Sequence, residues 1–170
     1  MTNTVKITLI GLGANKPWLG KGPGETVLAA AEALKKLGGE ALLSPLYRSS
    51  AWPDPSGPEY RNAVLRLESA LAPEALLGAL LATEAAFGRT RSDDPALRYA
   101  PRTLDLDLLA VGDEMRDTGR LTLPHPRIAE RDFVLLPLKD VAPEWRHPVT
   151  KRTASEMINA LPKIGASLAT

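Results

Sequence analysis

The feature that most restricts the fold is the order in which two hydrophobic periods follow one another along the chain. Val5 to Ile10 alternates apolar and polar positions and then breaks at Gly11 and Gly13, as a half-buried strand running into a turn would. From Glu25 the period is helical, with Val27, Ala31, Leu34 and Leu37 on one side until Gly38-Gly39 stops it. Ala41 to Ser49 and Tyr60 to Glu68 return to the strand pattern, separated by a Pro- and Gly-containing segment, Trp52 to Pro58, with little apolar material to anchor it and hence expected to be mobile. Pro73 opens a second helix that runs to Gly88, and after a polar segment Thr103 to Leu109 is the last principal strand. Strand, helix, strand, strand, helix, strand predicts an α+β fold: a ferredoxin-like βαββαβ core whose helices pack on one face of a mainly antiparallel sheet. Gly112-Asp113 and Thr118-Gly119 then predict a C-terminal hairpin, Arg127 to Asp140 a broken helix, and Thr153-Ala-Ser-Glu156 a capping box opening a short helix. There is no repeat and no linker, so residues 1–170, with 44% apolar residues for a core, read as one domain.

Composition removes several classes of function. A formal net charge of +1 provides no global basic field for a nucleic-acid backbone or an anionic membrane. The chain has no cysteine, which excludes disulfides, thiolate metal sites and a cysteine nucleophile and fits a reducing compartment. Met1 to Thr4 are polar, and the apolar run after them is interrupted by Lys6 and Thr8, unlike a secretory signal. No apolar stretch approaches the ~20 residues that span a bilayer. The expectation is a soluble cytoplasmic protein that binds neither nucleic acid nor membrane.

The chemistry concentrates around Leu104-Asp-Leu-Asp-Leu108. Alternation turns the three leucines one way and Asp105 and Asp107 the other. Charges ~6.6 Å apart on one strand face repel by about 2.5 kcal/mol at an effective dielectric near ~20, which calls for a cation unless both are simply solvated. Hard oxygen ligands favour magnesium, which completes its shell with water and substrate phosphates. Arg89, Arg91, Arg98 and Arg102 stand just upstream against Asp93 and Asp94 alone. Guanidinium forks bind phosphate oxygens, so acidic pair and arginines together point to phosphoryl transfer. In the second helix Leu77, Leu80, Glu84 and Phe87 fall on one stripe, and a carboxylate there needs either a ligand or an arginine as partner. Tyr60 and Asn62 share a strand face near Trp52, where a ring and an amide could receive a heterocycle. His125 stands between prolines, with Arg120, Thr122 and Arg131 nearby to complete an anion site. Gly11-Leu-Gly-Ala-Asn15 lacks the third glycine of a dinucleotide fingerprint, and no P-loop, G-x-S-x-G or H-E-x-x-H occurs.

In order, Gly-Leu-Gly-Ala-Asn15, Leu-Tyr-Arg48, Tyr60-x-Asn62, Gly-Arg89, Arg98-Tyr-Ala-Pro-Arg102-Thr-Leu-Asp-Leu-Asp107 and Leu-Thr-Leu-Pro-His125 resemble the 6-hydroxymethyl-7,8-dihydropterin pyrophosphokinases of folate biosynthesis. The resemblance implies transfer of the β,γ-diphosphate of ATP to the pterin hydroxymethyl group. It makes Asp105 and Asp107 the ligands of two Mg2+ ions, with Arg89 and Arg102 stabilising the transferring group. It assigns Ser49, Trp52, Tyr60, Asn62 and Phe133 to the pterin, and Glu84, Arg91, Arg98, Tyr99, Arg120, Thr122, His125 and Arg131 to the nucleotide. A monomer, at most a weak dimer, is expected. The chain departs from the family pattern at Ser50-Ala-Trp-Pro53, at the inserted Asp93-Asp94-Pro95, at Leu81 and Pro126, and in the enlarged turn Lys16 to Gly22. Two rival readings are a nucleotide-sugar transferase using Asp105-x-Asp107 on a doubly wound sheet and a non-catalytic ferredoxin-like binding module.

Overall fold

Strand β1 (Lys6–Ala14) is an interior strand of the sheet, paired antiparallel with β4 (Tyr60–Ser69) on one side and β5 (Asp105–Val111) on the other. The computed structural model describes residues 4–170; Met1 to Asn3, the start of the polar segment unlike a secretory signal, lie outside the described residues. The expected turn at Gly11 and Gly13 does not form. β1 runs through both, with Gly11 opposite Val64 and Asp107 and Gly13 opposite Asn62 and Asp105. A strand hydrogen-bonded on both edges overrides the weak strand propensity of glycine, and here the missing side chains leave room above the sheet.

Helix α1 (Pro23–Leu34) starts two residues before Glu25 and ends in a 3-10 turn, Lys35–Leu37. The single strand expected over Ala41 to Ser49 is two, β2 (Ala41–Leu43) and β3 (Tyr47–Ser49), both paired with β4. Pro45 has no N–H for the ladder, and the Ser44 hydroxyl accepts the Val64 N–H at 3.0 Å across the interruption. Helix α2 (Pro73–Ala86) and β5 complete the core, whose strand order β5-β1-β4-β3 is that of the ferredoxin-like arrangement. The hairpin β6 (Arg116–Asp117) and β7 (Thr122–Leu123) and the helices α3 (Asp132–Val141) and α4 (Ala154–Asn159) follow. α4 opens on the expected box: Thr153 Oγ1 accepts the Glu156 N–H and Glu156 Oε2 accepts the Thr153 N–H. A last strand, β8 (Ser167–Leu168), joins the edge of β3; two residues are too few to show a period.

The two core helices pack on one face of the sheet as expected, and α3 and α4 cover the other. Ile10, Leu12, Leu65, Leu67, Leu106 and Leu108 pack against α1 and α2, whereas Leu9, Val64, Leu109 and Ala110 pack against α3 and α4. A register shift opposite Leu9 and Ile10 inserts Leu109 as an extra residue, so β5 turns two successive residues toward α3. Apolar residues on both sides of the central strands require a second cover, and the chain beyond Arg127 supplies it.

Candidate active site

The expected alternation in β5 holds. Leu104, Leu106 and Leu108 enter the α1/α2 core, and Asp105 and Asp107 stand partly buried on the opposite face. They look across Gly13 and Gly11 toward Tyr60 and Asn62 of β4, with no side chain between. A Cβ on Gly13 would lie 3.2 Å from Asn62 Oδ1 and 3.6 Å from the Tyr60 ring. The glycines are thus the floor of a cavity of about 700 Å3, walled by the acidic pair and Arg102 at one end and by Tyr60, Asn62 and Phe133 at the other. Asn62 Nδ2 donates to Ser49 Oγ at 2.9 Å, which sets the amide against the wall of β3.

The two carboxylates sit in different electrostatic surroundings. Asp105 accepts from Arg102 Nη1 at 3.0 Å and from Arg89 Nη1. Burial works against its ionisation, but Arg102 and Arg89 outweigh burial and hold the carboxyl below its usual range. Asp107 has Arg131 Nη1 at 3.3 Å and His125 Nε2 at 3.8 Å. Burial and the charge of Asp105 push its carboxyl up, and the weaker opposing pull of His125 and Arg131 leaves it raised. Burial also lowers the His125 imidazole despite Asp107; its Nδ1 accepts the Arg127 N–H at 3.1 Å, which puts the proton of the neutral ring on Nε2, facing Asp107.

Two hard carboxylates, one of them short of compensating charge, fit a magnesium ion whose remaining ligands are phosphate and water. Among the described residues no group of three or more His, Cys, Asp or Glu side chains is placed to hold a metal on its own. Such a donor set suits a metal that arrives with its substrate and does not suit a structural zinc.

Glu84 is 1% exposed and fully engaged. Its carboxylate accepts from Arg89 at 3.1 Å, from Arg91 at 2.5 Å and from the Leu106 N–H at 2.8 Å. Of the two partners open to it in sequence, a ligand or an arginine, the structure shows the arginine. It braces Arg89, which in turn reaches Asp105.

Residues 9–143 match the family 7,8-dihydro-6-hydroxymethylpterin-pyrophosphokinase (HPPK). The chain belongs to this family. It is 42% identical over 142 residues to the 2-amino-4-hydroxy-6-hydroxymethyldihydropteridine pyrophosphokinase of Pseudomonas aeruginosa, a match covering 82% of this chain and 85% of that one. Against the protein of the same name from Synechocystis the identity is 44% over 115 residues, 68% of this chain and 56% of the relative, so this chain spans about half of that protein's length. The fold is shared with Plasmodium falciparum HPPK-DHPS at a TM-score of 0.68 and 14% identity, over 92% of this chain and 44% of the larger one.

In this HPPK chain the sequence-derived residues fall into three groups. Asp105, Asp107, Arg102, Tyr60, Asn62 and Phe133 meet at the cavity, and Ser49, Trp52, Arg98, Tyr99 and Arg131 line it as well. Arg89, Glu84 and His125 stand behind that wall, joined to the acidic pair by the contacts above, while Arg91 has an exposed stem with its head tied to Glu84. Arg120 and Thr122 lie in the β6–β7 hairpin and are not part of the cavity wall. In the loop expected to be mobile, the exposed Trp52 ring meets the exposed Tyr99 of the arginine-bearing loop edge-on, 5.2 Å between centroids. Arg127 and Glu130, which no sequence motif marked, also line the cavity, with Arg127 Nε 3.5 Å from Glu130 Oε2. They sit around a 3-10 turn, where no hydrophobic period marks a face.

Proposed function

We propose that this chain transfers the β,γ-diphosphate of ATP to the hydroxymethyl group of 6-hydroxymethyl-7,8-dihydropterin, releasing the pterin diphosphate and AMP, as a step of folate biosynthesis. The observation that carries the reading is one cavity that joins an arginine-flanked acidic pair to an aromatic and amide wall across a floor of glycine. Tyr60 and Phe133 receive the flat heterocycle, while Asn62, held by Ser49, and the loop bearing Trp52 read its edge. The acceptor hydroxyl then attacks the β-phosphorus, and the bond from that phosphorus to the α-phosphate oxygen breaks. Such a step needs alignment and charge neutralisation more than a covalent catalyst.

Asp105 and Asp107 would hold two magnesium ions, which supply neutralising charge at the phosphates when bound. Arg89 and Arg102, both now on Asp105, would exchange that carboxylate for the oxygens of the transferring group, Arg102 from the cavity wall and Arg89 from behind it. Arg91, Arg98, Tyr99, His125 and Arg131 approach the nucleotide from the loop and from the rim of the cavity; Arg120 and Thr122 do so from the hairpin. Glu84 acts on the nucleotide through the two arginines that it holds. Residues 1–170 act as one domain and as a monomer in the cytoplasm, with small molecules rather than nucleic acid or membrane as partners. Among the described residues no helix is long and apolar enough to cross a membrane.

The test offers ATP, magnesium and reduced hydroxymethylpterin and identifies the nucleotide product. AMP together with pterin diphosphate is expected; ADP, or no turnover, would reject the assignment. No observation favours a nucleotide-sugar transferase, because every pairing in the sheet is antiparallel among the described residues.

A further inference from the structure

We infer that Asn15 is a positioning residue for the transfer, fixing the stems of the arginine-bearing loop and of the acceptor loop to one point at the end of β1. The inference rests on the diphosphate-transfer reading and adds to it a residue that makes no contact with the reacting groups. Asn15 is 4% exposed. Its Oδ1 accepts the Arg102 backbone N–H at 2.8 Å, and its Nδ2 donates to the Pro58 carbonyl at 3.1 Å. The backbone N–H groups of Asn15 and Lys16 both donate to the Arg102 carbonyl, at 3.0 and 3.1 Å. Arg102, whose guanidinium reaches Asp105, therefore has both of its backbone polar groups fixed by this one corner. Pro58 stands two residues before Tyr60, so the same amide bears on where the aromatic wall of the acceptor site begins.

The corner also touches the leading stem of the arginine-bearing loop. Trp18 packs at a tilt against Phe87 with ring centroids 5.4 Å apart, and its indole lies over Gly88, where a Cβ would come within 2.1 Å of Nε1. Gly88 has φ of +79° and turns the chain out of α2 toward Arg89. The loops themselves span the cavity between these stems. A buried amide with donor and acceptor both used holds its partners to fixed positions, since breaking either bond leaves a polar group without water. Displacing a positioned group by about 1 Å is enough to cost on the order of a hundredfold in rate.

Two substitutions separate the arms. Asn15→Ala removes both side-chain bonds; Asn15→Asp keeps an oxygen for the Arg102 N–H but sets a second oxygen against the Pro58 carbonyl. For Asn15→Ala, kcat is expected to fall by about tenfold or more and the KM for pterin to rise. For Asn15→Asp, kcat stays within roughly threefold of wild type while the KM for pterin rises by about fivefold or more, because only the acceptor stem is released. The KM for ATP should hold in Asn15→Asp, which keeps the stem of the arginine-bearing loop in place. Equal effects on kcat and on both KM values, with a falling Tm, would show a structural residue and overturn the inference, as would unchanged constants. If Asn15→Ala does not fold, the split in Asn15→Asp decides alone. Wild-type protein in the same assay keeps the two ideas apart: no AMP from it overturns the transfer reading, whereas AMP from it with no split in the variants overturns only the role of Asn15.

Discussion

Asp105 and Asp107 share a strand face, yet their carboxyls are pushed in opposite directions, and this has an observable consequence for stability. Asp107 is raised by burial and by its neighbour's charge. A carboxyl raised on folding favours the fold fully below its ordinary range and loses that contribution as pH climbs through the raised value, so at neutral pH the Asp107 charge works against the free protein. Asp105 is lowered, because two guanidinium groups outweigh its burial. Its contribution is present above the ordinary carboxylate range and lost as pH falls through the folded value. Thermal melts at pH 7 should therefore show Asp107→Asn with a raised Tm and no transfer, and Asp105→Asn with a lowered Tm; two shifts of the same sign would contradict the asymmetry. Alternation made the shared face legible in sequence, but Arg131 and His125, which meet Asp107, come from beyond the hairpin and no local pattern ties them to it. Glu84 was legible only as an anomaly on an apolar stripe. Its removal by Glu84→Ala leaves Arg89 without its buried partner and should cost about 3 kcal/mol in urea unfolding. An unchanged unfolding midpoint with a higher KM for ATP would instead make it a direct ligand of the nucleotide.

At the scale of elements, the boundaries follow turn chemistry where the chain is solvated and follow pairing where it is enclosed. The α2 boundary is of the first kind. Gly88 sits at φ of +79° with the Trp18 indole where a side chain would be. Gly88→Ala combines left-handed strain with that clash and should lower stability by roughly 2 kcal/mol, measured as a shift in the urea midpoint. A smaller change would mean that the enlarged turn carrying Trp18 gives way easily. β1 is of the second kind: Gly11 and Gly13 look like a turn signal, but strands on both sides carry the ladder through them. Pro45 had the reverse effect on the strand read from Ala41 to Ser49, because a missing N–H cannot be supplied by a neighbour.

Across the whole molecule, the segment after Arg127 turns a one-faced sheet into an enclosed one and ties its far end back to the acceptor wall. Asp132 Oδ2 accepts the N–H groups of Gly165 and Ala166 at 2.6 and 2.8 Å, beside Phe133. β8 then pairs with β3, the strand that bears Ser49. The buried link between sheet and cover is Tyr47, whose hydroxyl donates to Asp140 Oδ2 at 2.6 Å. Burial, and then the Asp140 hydrogen bond and charge, push the phenol up from 10.0 to about 12. A group raised in this way stabilises the fold fully below its ordinary value and loses that contribution as pH climbs toward the folded value. Urea midpoints should therefore fall between pH 10 and pH 12 in the wild type and change less in Tyr47→Phe; parallel curves would show that Tyr47 does not couple the two layers.

By itself the sequence determined the order of the core helices and strands, save that the strand read over Ala41 to Ser49 is two, together with the antiparallel α+β core, the acidic face of β5 and the family, because each is written in periods and motifs that need only near neighbours. Tertiary structure alone decided that helices cover both faces, that Gly11 and Gly13 form a floor, that Glu84 holds two arginines, and that Asn15 joins two loop stems. Those outcomes depend on which distant groups meet in a dry interior, where every polar atom must find a partner, and no local pattern names that partner.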